Sequence, residues 1–303
     1  MSVLVFGSLN LDLVAYAQTL PVMGETLIGE KLMRFPGGKG LNQAIAAKRA
    51  GSNVAMVGCI GEDGEGNFLM QVLSQEQIET SFVSSSPIAT GIALIEVSAE
   101  GNNRILVIPG ANDELKFKSE ILSGARKPKV CLAQLEVPLV EATKFLGVAQ
   151  RQGCITILNP APIQSLDSEL IGFIDYLIVN ETEASFLAGS KSEVLTQDEA
   201  RLIGTKLILN GWKRVIITLA ERGSLYFDGH SKIYTPALEV KAIDTTAAGD
   251  AFCGALASAL AEEKPIDYCL KFASAAGGLS VTRAGAVPSL PNRQEILSMS
   301  SIS

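Results

Sequence analysis

Short apolar runs that end in small or polar residues recur along the chain and predict buried strands. The first is Val3-Leu4-Val5-Phe6, which ends at Gly7. Four apolar residues in a row are typical of a strand covered on both faces of a parallel sheet. From residue 130 onward, such runs alternate with helical patterns. The apolar runs are at 130–132, 155–158, 176–179 and 215–219, and the helical patterns are at 138–152 and 200–209. This alternation predicts right-handed βαβ units, and so an α/β fold with a doubly wound, mostly parallel sheet and helices on both faces.

Two other segments have strand patterns with no helix between the strands. Residues 13–16 and 26–35 are separated by Pro21 and Gly24, and residues 91–97 and 104–108 flank a polar turn. These four strands predict a small sheet apart from the main one. We expect one α/β domain over residues 1–303, with the small sheet, from about 11–36 and about 90–110, acting as a lid.

Two helices are predicted to begin in turns of small residues. One follows Gly37-Gly38-Lys39-Gly40 and covers 41–50, and the other starts within 244–250 and continues to about Ala261. The free N–H groups at a helix start favour an anion, and small residues let it approach. Asp250 would repel an anion, but it suits a group that takes a proton from an incoming hydroxyl, as in phosphoryl transfer. The alternative is that Asp250 caps its helix.

Polar residues follow several of the predicted strands. They are Asn10 and Asp12, then Glu136, then Asn159, then Asn180 and Glu183. Ligands of open α/β sheets bind at the carboxyl ends of the strands, and amides with carboxylates can bond sugar hydroxyls. Two structural alternatives remain open, because Asn10 and Asp12 also suit an Asx turn, and Asn180 with Glu183 a capping box.

Composition excludes several classes of function. The chain has 303 residues, 47% of them hydrophobic and 19% charged, with a formal net charge of −7. This balance argues against a nucleic-acid surface. No stretch approaches the roughly 20 apolar residues of a membrane span, and the start of the chain lacks a basic, then apolar, leader. We therefore expect a cytoplasmic protein with no nucleic-acid or membrane partner.

Cysteine and histidine usage narrows the chemistry further. The five cysteines form no Cys-x-x-Cys pair and are expected to be buried free thiols. A single histidine, His230, excludes a Ser-His-Asp hydrolase and a multi-histidine metal site. The residue after Lys39 is Gly40, so the loop is not a Walker A loop, and residues 58–64 do not fit Gly-x-Gly-x-x-Gly.

Five stretches together resemble the motifs of the ribokinase-like (carbohydrate kinase B) superfamily, in the same order. They are Gly7-Ser8-Leu9-Asn10-Leu11-Asp12, Gly37-Gly38-Lys39-Gly40-Leu41-Asn42-Gln43-Ala44, Asn159-Pro160-Ala161-Pro162, Asn180-Glu181-Thr182-Glu183 and the segment 244–254. The resemblance runs from about residue 3 to Pro291. It implies ATP-dependent phosphorylation of the 5-hydroxyl of D-ribose, with a nucleoside or another furanose as the alternative acceptor. An NAD-dependent dehydrogenase is disfavoured by the missing fingerprint, and an inactive sugar sensor by the intact Asp250.

The resemblance also implies roles for individual residues. Asp250 becomes the general base, and the backbone amides of Ala247, Ala248, Gly249 and Asp250 become an anion cradle. The expected sugar contacts are Asn10, Asp12, Gly38, Lys39, Asn42, Glu136 and Asp250. The expected nucleotide contacts are Asn180, Glu183, Thr218, Leu219, Ala220, Glu221, Arg222, Gly223, Gly249 and Ser274, where Ala220 departs from a glycine that is frequent in the family.

The resemblance further implies two metal ions and an assembly. Mg²⁺ accompanies ATP, supported by the Asn180 and Glu183 pair. A monovalent cation, K⁺ before Na⁺, is expected at Asp244, Thr246, Ser280, Arg283, Gly285 and Ser289, mostly through backbone carbonyls. A homodimer formed through the lid is expected, since a second copy would cover the exposed strand edges.

Overall fold

The computed structural model describes residues 1–123, 127–190 and 195–300. The strands are β1 Val3–Phe6, β2 Asn10–Ala17, β3 Lys31–Gly37, β4 Val54–Gly61, β5 Glu79–Ser86, β6 Gly91–Ser98, β7 Asn103–Ile108, β8 Val130–Gln134, β9 Ile155–Asn159, β10 Tyr176–Val179, β11 Val215–Thr218, β12 Ser224–Phe227 and β13 Lys232–Thr235. The α-helices are α1 Lys39–Arg49, α2 Gly64–Gln75, α3 Leu139–Arg151, α4 Ser168–Phe173, α5 Glu181–Leu187, α6 Gln197–Leu209, α7 Ala248–Ala261, α8 Ile266–Ser280 and α9 Arg293–Met299. Short 3₁₀ turns lie at Gly110–Glu114, Ser119–Leu122, Ala220–Arg222 and Val287–Ser289.

The main sheet has nine strands in the order β13-β12-β11-β10-β9-β8-β1-β4-β5. The pairs from β5 to β11 are parallel, and β12 and β13 continue the sheet antiparallel. Side chains alternate across each strand, so Val3 and Val5 enter one apolar cluster while Leu4 and Phe6 enter the other. Helices α1, α7 and α8 supply the first cluster, and α3 and α6 the second. The predicted doubly wound sheet, with helices on both faces, is confirmed.

Four strands form a separate small sheet in the order β3-β2-β6-β7. The central pair β2 and β6 is parallel, and both outer pairs are antiparallel. Two separate chain segments supply these strands. The strand expected at 26–35 was wrong at its start, because β3 begins at Lys31. The ladder with β2 ends at the pair of Tyr16 and Lys31, and before Lys31 only the N–H of Glu30 still bonds β2, at the carbonyl of Tyr16.

The small sheet is more exposed than the main one. All six residues of β7, an edge strand, are exposed, and Leu106 is 61% accessible. In contrast, every residue of β1, β4 and β8 is buried. Among the described residues, no helix is long and apolar enough to cross a membrane.

Candidate active site

Asp250 lies in the first turn of α7 and is only 7% exposed. The residue at the N-cap position is Ala247, whose backbone is left-handed with φ 61°, and it makes no side-chain cap. The carboxylate of Asp250 instead accepts two hydrogen bonds from α1. Asn42 Nδ2 donates to Oδ2 at 3.0 Å and Gln43 Nε2 donates to Oδ1 at 2.9 Å. The capping alternative therefore does not fit the geometry.

Small residues bring α1 close enough for these bonds. A Cβ at Gly254 would lie 2.5 Å from the Cβ of Ala46 and 2.6 Å from the carbonyl oxygen of Gln43, so α7 packs directly on the backbone of α1. At the start of α1, a Cβ on Gly40 would meet the backbone N of Ser8 at 2.5 Å. Any larger residue at either position would push α1 away and misplace the amides that reach Asp250.

Glu136 holds the turn before α1. Its Oε2 accepts from Ser8 Oγ at 2.6 Å and from the backbone N–H of Lys39 at 3.0 Å. The hydroxyl of Ser8 in turn accepts the N–H of Gly40 at 3.2 Å. The predicted sugar contacts Lys39 and Glu136 thus meet at one edge of the main sheet. Gly38, with φ 90°, lets this turn approach the backbone of residues 8–10.

Asn10 and Asp12 enter the site from β2 of the small sheet. Asn10 Oδ1 accepts from Asn112 Nδ2 at 2.7 Å, and Asn112 also bonds the backbone N–H and C=O of Leu9. Asn112 was not predicted, and it fixes the orientation of the Asn10 amide. Its Nδ2 meets the oxygen of Asn10, so the NH₂ group of Asn10 is left to donate.

The charged groups of the site perturb each other. Burial, then the charges of Glu136 and Asp250, raise the pKa of Asp12 to about 7. Burial also raises the pKa of Asp250, against the opposing influence of Lys39. Burial alone would lower the pKa of Lys39, but Asp250 and Glu136 raise it overall. One lysine therefore shares a desolvated pocket with several carboxylates, as is common at functional sites.

Asn180 and Glu183 form the capping box of α5. Asn180 Oδ1 accepts the N–H of Glu183 at 2.8 Å, and Glu183 Oε2 accepts the N–H of Asn180 at 2.9 Å. Glu183 is nevertheless buried, which raises its pKa, and it is close enough to Lys39 and Asp250 for their charges to act on it. Asn180 and Glu183 therefore do form the expected capping box. The same box places the Glu183 carboxylate near the charges of Lys39 and Asp250.

The predicted nucleotide turn follows β11. Leu219 is buried, Glu221 is exposed, and Thr218 Oγ1 donates to the carbonyl of Val179 at 3.3 Å. Ala220 has φ 50°, so the alanine adopts the left-handed conformation that the frequent glycine would take without strain. The guanidinium of Arg222 pairs with Glu181 at 2.6 Å.

Two glycines and one serine complete the expected nucleotide surface. Gly223, with φ 89°, lies against β13, since a Cβ there would meet the carbonyl oxygen of Thr235 at 2.1 Å. Ser274 is half-buried on α8, which packs against α7. On the same helix, a Cβ at Gly277 would lie 3.2 Å from the carbonyl oxygen of Ala248. Helix α8 thus reaches the start of α7, where the predicted cradle lies.

Asp244 ties the turn before α7 to the loop after α8. Its Oδ1 accepts from the N–H and hydroxyl of Thr246 at 2.9 and 2.6 Å, and its Oδ2 accepts the N–H of Gly285 at 2.8 Å. These bonds lower its pKa despite the opposing effect of burial. The carboxylate is therefore ionised and holds two segments of the predicted cation site together.

The remaining predicted cation residues have engaged side chains. The hydroxyls of Ser280 and Ser289 donate to the carbonyls of Gly277 and Ala286, at 2.8 and 2.7 Å. The guanidinium of Arg283 pairs with Glu295. Arg283 can therefore contribute to a cation site only through its backbone carbonyl, as was expected.

Across the described residues, no group of three or more His, Cys, Asp and Glu side chains could hold a metal ion. A site for Mg²⁺ would thus take ligands from elsewhere. Mg²⁺ normally keeps several waters and binds one or two carboxylates together with substrate phosphates. The buried carboxylate of Glu183 fits that pattern.

The fold and this site define a class of protein. The model of the pfkB family of carbohydrate kinases matches residues 1–293, and the chain belongs to that family. It is a carbohydrate kinase, which confirms the resemblance seen in the motifs.

Individual relatives agree over their whole length. Ribokinase of Haemophilus influenzae is 39% identical over 97% of this chain and 96% of its own. The crystal structure of ribokinase from Thermotoga maritima has a TM-score of 0.90 and 35% identity, covering 98% of both chains. Arabidopsis thaliana ribokinase, solved with ribose and ATP, has a TM-score of 0.91 and 31% identity, covering 100% of this chain and 99% of its own.

Proposed function

We propose that the protein transfers the γ-phosphoryl group of ATP to the 5-hydroxyl of D-ribose, with Asp250 as general base. The strongest support is the buried carboxylate of Asp250 at the start of α7. It accepts hydrogen bonds from two side-chain amides of α1 and lies close enough to Lys39 for that charge to act on it. Ribokinase relatives that align with the whole chain support ribose and ATP as the substrates.

The reaction needs a base on one side of the acceptor oxygen and an anion site on the other. The 5-hydroxyl gives its proton to Asp250 as its oxygen attacks phosphorus, and ADP leaves. Negative charge on the transferred group would meet the helix start of α7. The N–H groups of Ala247, Gly249 and Asp250 have no acceptor among the residues that the structure describes, whereas that of Ala248 already donates to Thr245 at 3.3 Å. Three of the four predicted cradle amides are thus available.

The sugar contacts proposed are Asn10, Asp12, Gly38, Lys39, Asn42 and Glu136. They come from three elements, β2, the start of α1 and the residues after β8. Polar groups that are built to bond hydroxyls reject analogues that leave them unpaired. A free sugar with several hydroxyls therefore suits the pocket better than a nucleoside.

Two cations belong to the proposal. Glu183, oriented by Asn180, would hold Mg²⁺ through its hydration shell, and the ion would neutralise charge on the β- and γ-phosphates. The backbone carbonyls around 246, 283 and 285, fixed by Asp244, are hard oxygen ligands that suit K⁺. That ion would stabilise the turn that aims the cradle amides.

We also propose that the small sheet acts as a lid and as a dimer interface. Leu13, Leu94 and Leu106 lie opposite one another in the register of β2, β6 and β7. They are on the face turned away from Asp12, because neighbouring residues alternate. A second copy would cover this apolar row. The cytoplasmic location expected from the sequence stays a prediction.

An ADP-release assay with a panel of acceptors tests the substrate. Ribose, 2-deoxyribose, fructose, adenosine and inosine are compared at equal ATP. We expect the highest kcat/KM with ribose. A nucleoside turned over faster than ribose would contradict the proposal and favour a nucleoside kinase of the same fold.

A further inference from the structure

Gln43 is a fully buried polar residue that the sequence motifs include but give no role. Its Nε2 donates to Asp250 Oδ1 at 2.9 Å and to Asn159 Oδ1 at 3.0 Å. Its Oε1 accepts from Gln134 Nε2 at 2.5 Å. Both N–H groups of the amide and its oxygen are thus used, which leaves the side chain one orientation.

The chemistry of the partners fixes that orientation independently. An ionised carboxylate only accepts hydrogen bonds, so the NH₂ group of Gln43 must face Asp250. The next amide is also anchored, since Asn159 Nδ2 donates to the carbonyl of Ile178 in β10 at 3.0 Å. Asp250 on α7 is in this way tied through α1 to the ends of β8, β9 and β10.

The other oxygen of Asp250 faces a different environment. Oδ2 accepts from Asn42 Nδ2, and Asn42 Oδ1 is buried with no partner among the described residues. A buried unpaired acceptor is costly unless a ligand supplies the donor. The Asn42 amide is therefore poised to accept from a substrate hydroxyl beside Oδ2, whereas the Oδ1 side is closed by protein.

We infer that Gln43 is a positioning residue that holds Asp250 by Oδ1, so that Oδ2 is the oxygen that accepts the proton of the substrate. This inference rests on the proposed role of Asp250 as general base. Gln43 does not touch substrate and acts through the carboxylate alone. Gln134 and Asn159 lock the Gln43 amide in turn.

Gln43 should also affect the pKa of Asp250, on which several nearby groups act. Lys39 on α1, Glu136 after β8, Asp12 on β2, Glu183 on α5 and Cys253 on α7 all lie within electrostatic reach. The hydrogen bond from Gln43 favours the ionised carboxylate and opposes the effect of burial. Removing it should move the acidic limb of the kcat/KM profile to higher pH, because the base would be protonated up to a higher pH.

The test is a double-mutant cycle of Gln43→Met and Asp250→Asn, assayed by ADP release with ribose and ATP. Gln43→Met should lower kcat by about 10²-fold, the effect of misplacing a catalytic group by about an ångström. The KM for ATP should stay unchanged. In the Asp250→Asn background the same substitution should cost almost nothing, since its effect passes through the carboxylate. Gln71→Met, at an exposed glutamine on α2, is the matched control.

Each result separates this inference from the proposed function. If Asp250→Asn is inactive and Gln43→Met lowers activity equally in both backgrounds, Gln43 has only a structural role and the inference is overturned. An active Asp250→Asn variant overturns both. Should Gln43→Met fail to fold, Gln134→Met removes the bond that locks Gln43 and leaves Gln43 in place. It should show a smaller fall with the same dependence on Asp250, and additive losses there would equally refute the inference.

Discussion

The main sheet and the small sheet meet at the site but are built differently. The central strands of the main sheet are buried throughout, and the helices packed on it carry Asp250, Asn42 and Gln43. The small sheet supplies Asn10 and Asp12 from β2, yet its edge strand β7 is exposed along its whole length. Segments with few buried apolar contacts open at the lowest free energy. The groups proposed to carry the chemistry are therefore held rigidly, while the proposed lid has few buried contacts that would oppose its opening.

The largest effect is expected within the rigid part. Asp250→Asn should lower kcat by roughly 10²–10⁴-fold, because the amide keeps the shape of the side chain but cannot accept a proton. Folding and nucleotide binding should be nearly unchanged, as measured by thermal unfolding and by titration with ATP. A variant that keeps full activity would disprove the base assignment.

Glu183→Ala tests whether the rigid part also supplies the carboxylate proposed to hold Mg²⁺. The concentration of Mg²⁺ that gives half-maximal activity should rise by roughly 10–100-fold, as for other residues that orient metal ligands. Glu199→Ala is a matched control, because Glu199 closes an equivalent capping box at the start of α6, outside the site. Both variants lose one cap and about 1 kcal/mol of stability. Equal Mg²⁺ dependence in the two variants would count against the role of Glu183.

The loop tied by Asp244 predicts a smaller effect. Replacing K⁺ by tetramethylammonium at constant ionic strength should lower kcat on the order of tenfold, a typical coupling between two sites. Asp244→Ala should abolish the difference between the two salts, since the Thr246 and Gly285 amides lose their common acceptor. Equal rates of the unmodified protein in both salts would exclude an activating cation.

Asp12, on β2 of the small sheet, tests the comparison through the pH dependence of protein stability. Its pKa is raised to about 7 from 3.8, so the folded protein binds the proton more tightly than the unfolded chain. The stability that Asp12 contributes is therefore full below pH 3.8 and is lost as pH rises through 7. Asp12→Asn should raise Tm relative to the parent protein by a few degrees above pH 7 and by much less near pH 4.

The control for that measurement is Asp113→Asn, at an exposed position of the nearby 3₁₀ turn. Thermal unfolding is followed from pH 4 to pH 8 for all three proteins. A difference between Asp12→Asn and the parent that does not grow with pH would contradict the predicted sign.

The smallest change in turnover is expected on the outer face of the small sheet. Leu106→Asp should convert a dimer to a monomer in sedimentation experiments, because it places a charge in the apolar row with Leu13 and Leu94. Leu202→Asp substitutes another largely exposed leucine, on α6, and should leave the assembly unchanged. A monomeric parent protein would refute the proposed interface.

The fold was largely predictable because its signals are local. Uninterrupted apolar runs mark the strands of the main sheet, and their alternation with helical patterns gives the topology. The start of β3 was missed because it depends on where β2 ends, which is a property of pairing. The helix α2 had a usable signal in Asp63, which accepts the N–H of Gly66 as an N-cap, although no helix was predicted there.

The site was predictable by resemblance more than by pattern. The sequence places Gln134 at the end of an apolar run and Asn112 in a turn, and nothing in their neighbours shows that they bond Gln43 and Asn10. Such contacts join residues about 90 to 100 positions apart, so only the folded chain brings them together. A usable signal for Gln43 was its position among Leu41, Ala44 and Ile45 on α1, since an amide buried with such residues requires partners.

The close approach of Gly40 to Ser8 has a practical consequence for anyone who wishes to redirect the enzyme to another sugar. The backbone of Gly7 and Ser8 leaves no room for a side chain at Gly40, so mutational libraries there would yield mostly unfolded or misaligned proteins. Ala93 and Val107 pair with each other in the small sheet, on the face that carries Asp12. Variation at these two positions would reshape the proposed lid and leave the catalytic groups where they are.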